Sequence, residues 1–329
     1  MLRALARCRA SRTPSLHPRS SSFACAASTR MAPKHDAKPS FPEKYVVPER
    51  WTPPGDLGGK FGGMNRPTAG ARFERALPVG KHPLQLYSLG TPNGQKVTVL
   101  LEELGIDYDA WKCDIVADPP AQFSSGFVEA NPNSKIPVLM DHRDAKSHGA
   151  PPTRVFESCH ILLHLCEAAG ASGEKFLPSA RVDPRGRTEC LNWLFWQAAS
   201  APYIGGGFGH FYNYAPANYQ YAIDRFAMET KRQLDVLDKQ LAGKTFVVER
   251  NDDRYGDAPT IADFAIYPWV KCIDVHYEAG EFLSLKEDYA NITRWCETLE
   301  RREGVKRGMR VNAFGPGAVE ERHSAADFD

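Results

Sequence analysis

The chain has 329 residues, 42% of them hydrophobic, which is apolar material for roughly two packed domains. Its 41 basic residues nearly balance 40 acidic ones, so the net charge of +1 gives no reason to expect nucleic acid or an anionic membrane as a partner. The longest apolar runs, such as residues 161–165, fall far short of the roughly 20 residues a bilayer span requires, and no membrane partner is expected.

In chain order, residues 1–35 come first. They carry Arg3, Arg7, Arg9, Arg12, Arg19, Arg30 and Lys34 among serines and alanines, with no acid before Asp36. An Arg- and Ser-rich, acid-free stretch suits a transit peptide, disordered or cleaved, and its scattered apolar residues lack the continuous core of a secretory signal. The expected destination is the mitochondrion, with the plastid as the alternative. A plain disordered basic tail is a further reading, and a start at Met31 would give a cytosolic form. Residues 36–83 form an irregular arm, rich in Pro and Gly as in Pro53-Pro54-Gly55. A structureless segment of this length is disordered or is a surface arm with a function. Trp51, Phe61, Met64 and Phe73 favour an arm packed on the body.

Residues 84–89 alternate in polarity as a strand does, and a helix follows over 92–104, ending at Gly105. A second strand is expected over 107–115 and a short helix over 122–130. Residues 137–141 and 154–156 form an antiparallel pair across a polar loop, and a helix over 157–169 stops at Gly170. This order defines an α/β thioredoxin-like domain over 84–171. Beyond a linker at 177–184 the strand signals mostly disappear. Helices are expected over 185–201 and 218–241, with an aromatic and glycine loop at 204–216 between them. Thr260-Ile261-Ala262-Asp263 has capping-box spacing and opens a helix to about residue 272, and residues 285–301 supply another. Residues 180–310 are therefore an all-α domain, followed by a tail at 311–329.

Within the first domain several residues suit a small, charged thiol peptide. Thr91 can cap a helix whose first-turn amides attract an anion such as a thiolate, and Pro92 fits the first helical position. The bond before Pro137 is a candidate cis peptide after an edge strand, which would leave the backbone of Ile136 free to pair with an extended peptide. Glu157 offers a carboxylate for an amine, and Ser158 a hydroxyl and an amide for a carboxylate. Taken singly, Thr91 is an ordinary cap, Asn93 in Pro-Asn-Gly is turn chemistry, and Glu157-Ser158 is a helix start. Eight cysteines, at 8, 25, 113, 159, 166, 190, 272 and 296, include no Cys-x-x-Cys pair and no tight Cys/His cluster, so no metal is expected.

Thioredoxin-like plus all-helical is the architecture of glutathione transferases, and four local strings resemble the family's nu class. They are Ser88-Leu89-Gly90-Thr91-Pro92-Asn93-Gly94-Gln95-Lys96-Val97, Gln122-Phe123-Ser124-Ser125-Gly126-Phe127, Asn131-Pro132-Asn133-Ser134-Lys135-Ile136-Pro137, and Gly205-Gly206-Gly207-Phe208-Gly209-His210-Phe211. That class contains bacterial disulfide-bond reductases of the YghU type and is related to the Ure2-type proteins of yeast. The resemblance runs from about residue 62 to 312 and takes in the tail around Glu321-Arg322-His323. It implies glutathione-dependent disulfide reduction in a homodimer, with two glutathione molecules side by side in each site. By motif it puts Thr91, Asn93 and the arm residue Asn65 at the first thiol. Ile136 beside Pro137 offers its backbone, and Glu157 and Ser158 hold the glutamyl end. Lys135 and Gln122 sit at the polar rim, while Arg225 faces the second glutathione. Read alone, Arg225 could equally be a solvated charge paired with Glu229. Where the relatives place a glutamine facing that second molecule this chain has Ala198, with Gln197 one position earlier. Conjugation of glutathione to electrophiles and a non-catalytic binding or regulatory role are the rival functions.

Overall fold

The computed structural model describes residues 47–329 apart from 56 and 145–148. The leader expected over residues 1–35 lies outside the described residues, as does the beginning of the arm.

Strand β1 (Leu84–Ser88) is buried along its whole length, because it lies inside a sheet covered on both faces. Leu84 and Leu86 face the main core, while Tyr87 faces a smaller cluster with Phe127 and Val138. Helix α1 (Pro92–Leu104) opens with proline in its first turn and closes on Gly105 at φ 64°, a left-handed position that glycine adopts without steric cost. Strand β2 (Asp109–Lys112) pairs parallel with β1, Leu86 opposite Ala110. It is shorter than the expected strand because the Asp114 carboxylate accepts hydrogen bonds from the amides of Val116 (2.9 Å) and Ala117 (3.2 Å), turning the chain away. The helix expected over 122–130 is split. A 3-10 turn (Ala121–Phe123) gives way at the extended Ser124, whose hydroxyl accepts from the amide of Phe127 and caps α2 (Ser125–Ala130).

Strand β3 (Val138–Asp141) runs antiparallel to β1 and to β4 (Thr153–Phe156), in the sheet order β2-β1-β3-β4. The Ile136–Pro137 bond is cis, but it leads into β3, an interior strand, and does not follow an edge strand as expected. Helix α3 (Ser158–Ala168) completes this half.

In the helical half, α4 (Pro184–Pro202) starts at Asp183, whose side chain accepts from the amide of Gly186 at 2.9 Å. The expected loop that follows is instead a π-helix (Tyr203–Tyr214). Its wide turns fit the packing: a Cβ on Gly205 would fall 2.5 Å from the ring of Trp269, and one on Gly207 would fall 2.4 Å from Phe226. Helices α5 (Gln220–Gln240) and α6 (Ile261–Val275) follow. The capping box at Thr260 and Asp263 is formed, and the same carboxylate accepts from the amide of Val247 and the indole of Trp295, both at 2.9 Å. The single helix expected over 285–301 is broken at Tyr289 (φ −129°, ψ 66°) into α7 (Leu285–Asp288) and α8 (Ala290–Glu300), and a further helix, α9 (Glu303–Gly308), packs on α1. One continuous apolar core joins β1, α1 and α3 to α4 and α6. The tail returns to the outer edge of the sheet, where Arg322 and Ala110 exchange backbone hydrogen bonds and the Arg322 guanidinium covers the Tyr108 ring at 4.1 Å. No described helix is long and apolar enough to cross a membrane.

The arm meets the body as expected through Phe61, whose ring stacks edge-on against Tyr214 at 5.1 Å, and through Met64 and Phe73, both half-buried. Trp51 departs from the expectation, being 59% exposed.

Strand β3 ends on Asp141, which receives Arg143 at 2.5 Å and His164 at 2.9 Å while its own side chain is only 8% exposed. Burial alone would raise its pKa, but the hydrogen bonds from His164 and Arg143 hold the carboxyl well below the usual range. Its folded pKa lies below the unfolded value, so the stability it contributes is present above about pH 4 and is lost as pH falls through the folded pKa. Asp141→Asn is expected to lose about 1.5 to 3 kcal/mol in urea unfolding at neutral pH, with the gap to wild type closing in acid. A gap that stays constant into acid would contradict this.

Candidate active site

Between the halves lies a cavity of about 830 Å³ whose wall includes Asn65, Thr91, Asn93, Gln122, Lys135, Ile136, Glu157 and Ser158. Eight residues expected at the site from scattered strings are thus brought to one wall. Pro92 and Pro137 are buried behind Thr91 and Ile136 and do not line it. Arg225 is not brought there: it is exposed on α5, where Arg232 first and Arg225 among other groups hold the Glu229 carboxyl down at about 2.

Thr91 occupies the N-cap position of α1, yet its side chain makes no capping hydrogen bond. Its backbone is held instead, the amide donating to Leu89 O (2.6 Å) and the carbonyl accepting from Gln95 N (2.9 Å). The hydroxyl is therefore not spent on the helix and stands in the cavity wall beside the partial positive charge of the first turn. Glu157 caps α3 at φ 71°, a conformation costly for a residue with a side chain and one that clusters at ligand sites. Gln122 donates to Ile115 O at 3.2 Å and to the Met64 sulfur at 3.6 Å, while its Oε1 is buried with no partner among the described residues. A buried acceptor without a donor is costly, and an N–H of a ligand in the cavity would satisfy it.

A buried network missed in the sequence lies beneath this wall. Lys96 is 1% exposed, and its ammonium donates to Gln197 Oε1 (2.6 Å), Ser158 Oγ (3.2 Å) and the Cys159 sulfur (3.8 Å). Burial lowers the basicity of Lys96, with Cys159 and Glu157 acting the other way. Gln197 is thereby turned inward from the helical half, whereas Ala198 stands in the cavity wall. The available signal was that Lys96 follows Asn93 by three residues, on a helix turn shared with buried Val99 and Leu100. Asn93 in turn accepts through Oδ1 from the indole of Trp269 (3.0 Å) and from Ser158 Oγ (3.4 Å).

All six described cysteines are free and buried. Burial pushes Cys113, Cys190, Cys272 and Cys296 up to about 12 and also raises Cys166 and Cys159, the last against the pull of Lys96. None is set up as a thiolate near neutral pH. The far wall, with Phe195, Pro202 and Tyr214, is largely apolar, and burial lowers the pKa of His210 there. Among the described residues no group of three His, Cys, Asp or Glu side chains is placed to hold a metal ion.

A thioredoxin-like half with an open helix N-terminus, set against a helical half across a polar and apolar cleft, is the architecture of glutathione transferases. The family models agree: the glutathione S-transferase N-terminal domain matches residues 91–168 and the C-terminal domain residues 220–298. The chain belongs to the glutathione S-transferase family. It is 52% identical over 296 residues to the disulfide-bond oxidoreductase YghU of Escherichia coli K12, covering 87% of this chain and 95% of that one. Among solved structures it is similar to glutathione transferase YghU of Streptococcus pneumoniae, a complex with glutathione, at 48% identity and a TM-score of 0.72 over 82% of this chain and 99% of that one. A glutathione transferase family member of Pseudomonas fluorescens, with two glutathione bound, matches at 32% identity and a TM-score of 0.60 over 69% of this chain and 92% of that one.

Proposed function

We propose that the protein is an enzyme that reduces small disulfides with glutathione, as a homodimer holding two glutathione molecules in each site. The observation that carries this reading is the pairing of a thiolate-favouring wall with described cysteines that burial holds as thiols, Cys159 at the cavity among them. Thr91, at the N-cap of α1, and Asn93 in its first turn line the cavity together with Asn65 of the arm, and these three hold the sulfur of the first glutathione. Ile136 offers its backbone to the peptide, Glu157 and Ser158 take its glutamyl end, and Lys135 and Gln122 take its polar rim. The related structures bound to one or two glutathione molecules support a cavity filled in this way.

The chemistry runs in two exchanges. The first glutathione gives its thiol proton to solvent, and its thiolate attacks one sulfur of the substrate disulfide. The sulfur–sulfur bond breaks, one substrate thiolate leaves and takes a proton, and a mixed disulfide forms. The second glutathione, as thiolate, attacks the glutathione sulfur of that mixed disulfide. Oxidised glutathione and the second substrate thiol are the products, so one disulfide is reduced for each pair of glutathiones oxidised. Holding both thiols in one cavity raises their effective concentration and fixes their line of approach.

Parallel assays test this: reduction of a small dialkyl disulfide with glutathione, and conjugation of glutathione to an aryl halide. Disulfide reduction well above the uncatalysed rate is expected. Conjugation without reduction, or glutathione binding with neither activity, would overturn the reading in favour of a transferase or of a binding protein.

The leader at residues 1–35 is proposed to direct the protein to the mitochondrion. A fluorescent fusion of the full chain is expected to co-localise with a mitochondrial marker, and removal of the leader is expected to leave activity in vitro unchanged. Plastid fluorescence would correct the destination, and diffuse cytosolic fluorescence would refute the targeting.

A further inference from the structure

The side chain of Asn93 can serve a thiolate only in one orientation. Its amide has an accepting oxygen and a donating nitrogen, and only the nitrogen stabilises an anionic sulfur. The protein settles which of them the ligand meets through a residue far away in sequence. Trp269, on α6 of the helical half, places its indole Nε1 at 3.0 Å from Asn93 Oδ1. An indole N–H donates and cannot accept, so the atom facing it must be the oxygen. Ser158 Oγ approaches the same oxygen at 3.4 Å. Ser158 is itself approached by the Lys96 ammonium, another group that only donates. With Oδ1 engaged on the inner side, the Asn93 NH₂ group has no partner among the described residues, and Asn93 lines the cavity. The indole is confined as well: Gly205 of the π-helix lies so close that a Cβ there would fall 2.5 Å from its ring, and the indole is 9% exposed.

We propose that Trp269 is a positioning residue which, from the helical half, locks the Asn93 amide with its N–H groups toward the cavity so that they donate to the sulfur of bound glutathione. The assignment rests on the glutathione reading given above and extends it, since it makes ionisation of the thiol depend on contact between the two halves of the molecule. Without the indole N–H the amide is free to turn over and present its oxygen to the sulfur, and the thiolate then loses a donor and meets a repelling dipole.

Trp269→Phe keeps an aromatic ring but deletes the N–H together with the five-membered ring that carries it. The test titrates the thiol of glutathione bound to the full-length protein by its ultraviolet thiolate absorbance and measures kcat and KM for disulfide reduction. In Trp269→Phe the bound thiol is expected to titrate about 1 pH unit higher and kcat near neutrality to fall roughly tenfold, with the glutathione dissociation constant changed less than about twofold. Because Trp269 acts through Asn93, adding Trp269→Phe to Asn93→Ala is expected to cause no further loss. A side chain important only for packing would leave the bound thiol's titration unmoved and give losses that add to those of Asn93→Ala. Either of those results overturns the proposal. Should Trp269→Phe fail to fold, Asn93→Asp carries the test, since one carboxylate oxygen satisfies the indole and the other is forced on the ligand. Its bound thiol is expected to titrate higher still than in Asn93→Ala, and a value at or below that of Asn93→Ala overturns the proposal. A wild-type protein that binds no glutathione would overturn the functional reading together with this one, whereas a wild type that ionises glutathione while Trp269→Phe does so equally well would overturn this one alone.

Discussion

Replacement of Thr91 by Val is expected to lower kcat for glutathione-dependent disulfide reduction by roughly 10- to 100-fold, with a smaller change in the apparent KM for glutathione. The substitution is close to isosteric and removes only a hydroxyl. That hydroxyl makes no capping bond to α1, so helix stability is not what is lost. What is lost is a hydrogen bond to a developing thiolate, and a charge-assisted bond contributes about 1.5 to 3 kcal/mol. An interaction stronger with the thiolate than with the thiol appears in turnover more than in binding. Unchanged turnover in the folded variant would remove Thr91 from the thiol site.

Deletion of the chain through Arg66 is expected to leave a folded protein with kcat/KM reduced by roughly tenfold or more, the scale of a mispositioned reacting group. The deletion takes away Asn65, which lines the cavity, and Phe61, which anchors the arm against Tyr214. It leaves in place Arg72, whose amide donates to Phe123 O at 2.8 Å and whose guanidinium covers the Phe123 ring at 3.4 Å, so the base of the arm stays attached. Full activity in the truncated protein, measured at matched folded concentration, would show that the arm serves packing only.

The two halves differed in how much of them could be read from sequence. The run from β1 to α3 was legible because its signals are local: proline inside the first turn of α1, glycine at its end, short strands separated by turn residues. The breaks that sequence reasoning smoothed over are single side chains acting on nearby backbone, as where Asp114 ends β2 early and Ser124 splits a helix in two. The stretch after α4 has the sequence of a loop because glycine normally interrupts a helix. Its π-helical winding depends on Trp269 and Phe226 crowding Gly205 and Gly207 from other helices, which no local pattern records.

The same holds for the site. Five of the eight wall residues, Thr91, Asn93, Gln122, Lys135 and Ile136, lie in the strings that carry the resemblance, while Asn65, Glu157 and Ser158 lie outside them. The burial of Lys96 was not legible, because a lysine in a helix is ordinarily solvated; it follows from Gln197, 101 residues further on, coming to meet it. Trp269 carries no signal in sequence for a related reason: an indole in an apolar helix reads as core, and only the placement of its N–H against Asn93 gives it a further meaning. Arg225, assigned by motif to the second glutathione, is exposed on α5 and does not line the cavity.

The central claim is that both reacting thiols belong to glutathione and none to the protein. The measurement that bears on it most directly uses a variant lacking the leader, and with it Cys8 and Cys25, in which Cys113, Cys159, Cys166, Cys190, Cys272 and Cys296 are replaced by Ser or Ala. All six are buried, so some stability will be lost, and activity should be compared per folded molecule well below the unfolding midpoint. Reduction of a small disulfide by glutathione at a rate close to that of wild type is the predicted result. A folded variant that binds glutathione but has no reductase activity, and regains it when Cys159 alone is restored, would contradict the account and assign the reaction to a thiol of the protein.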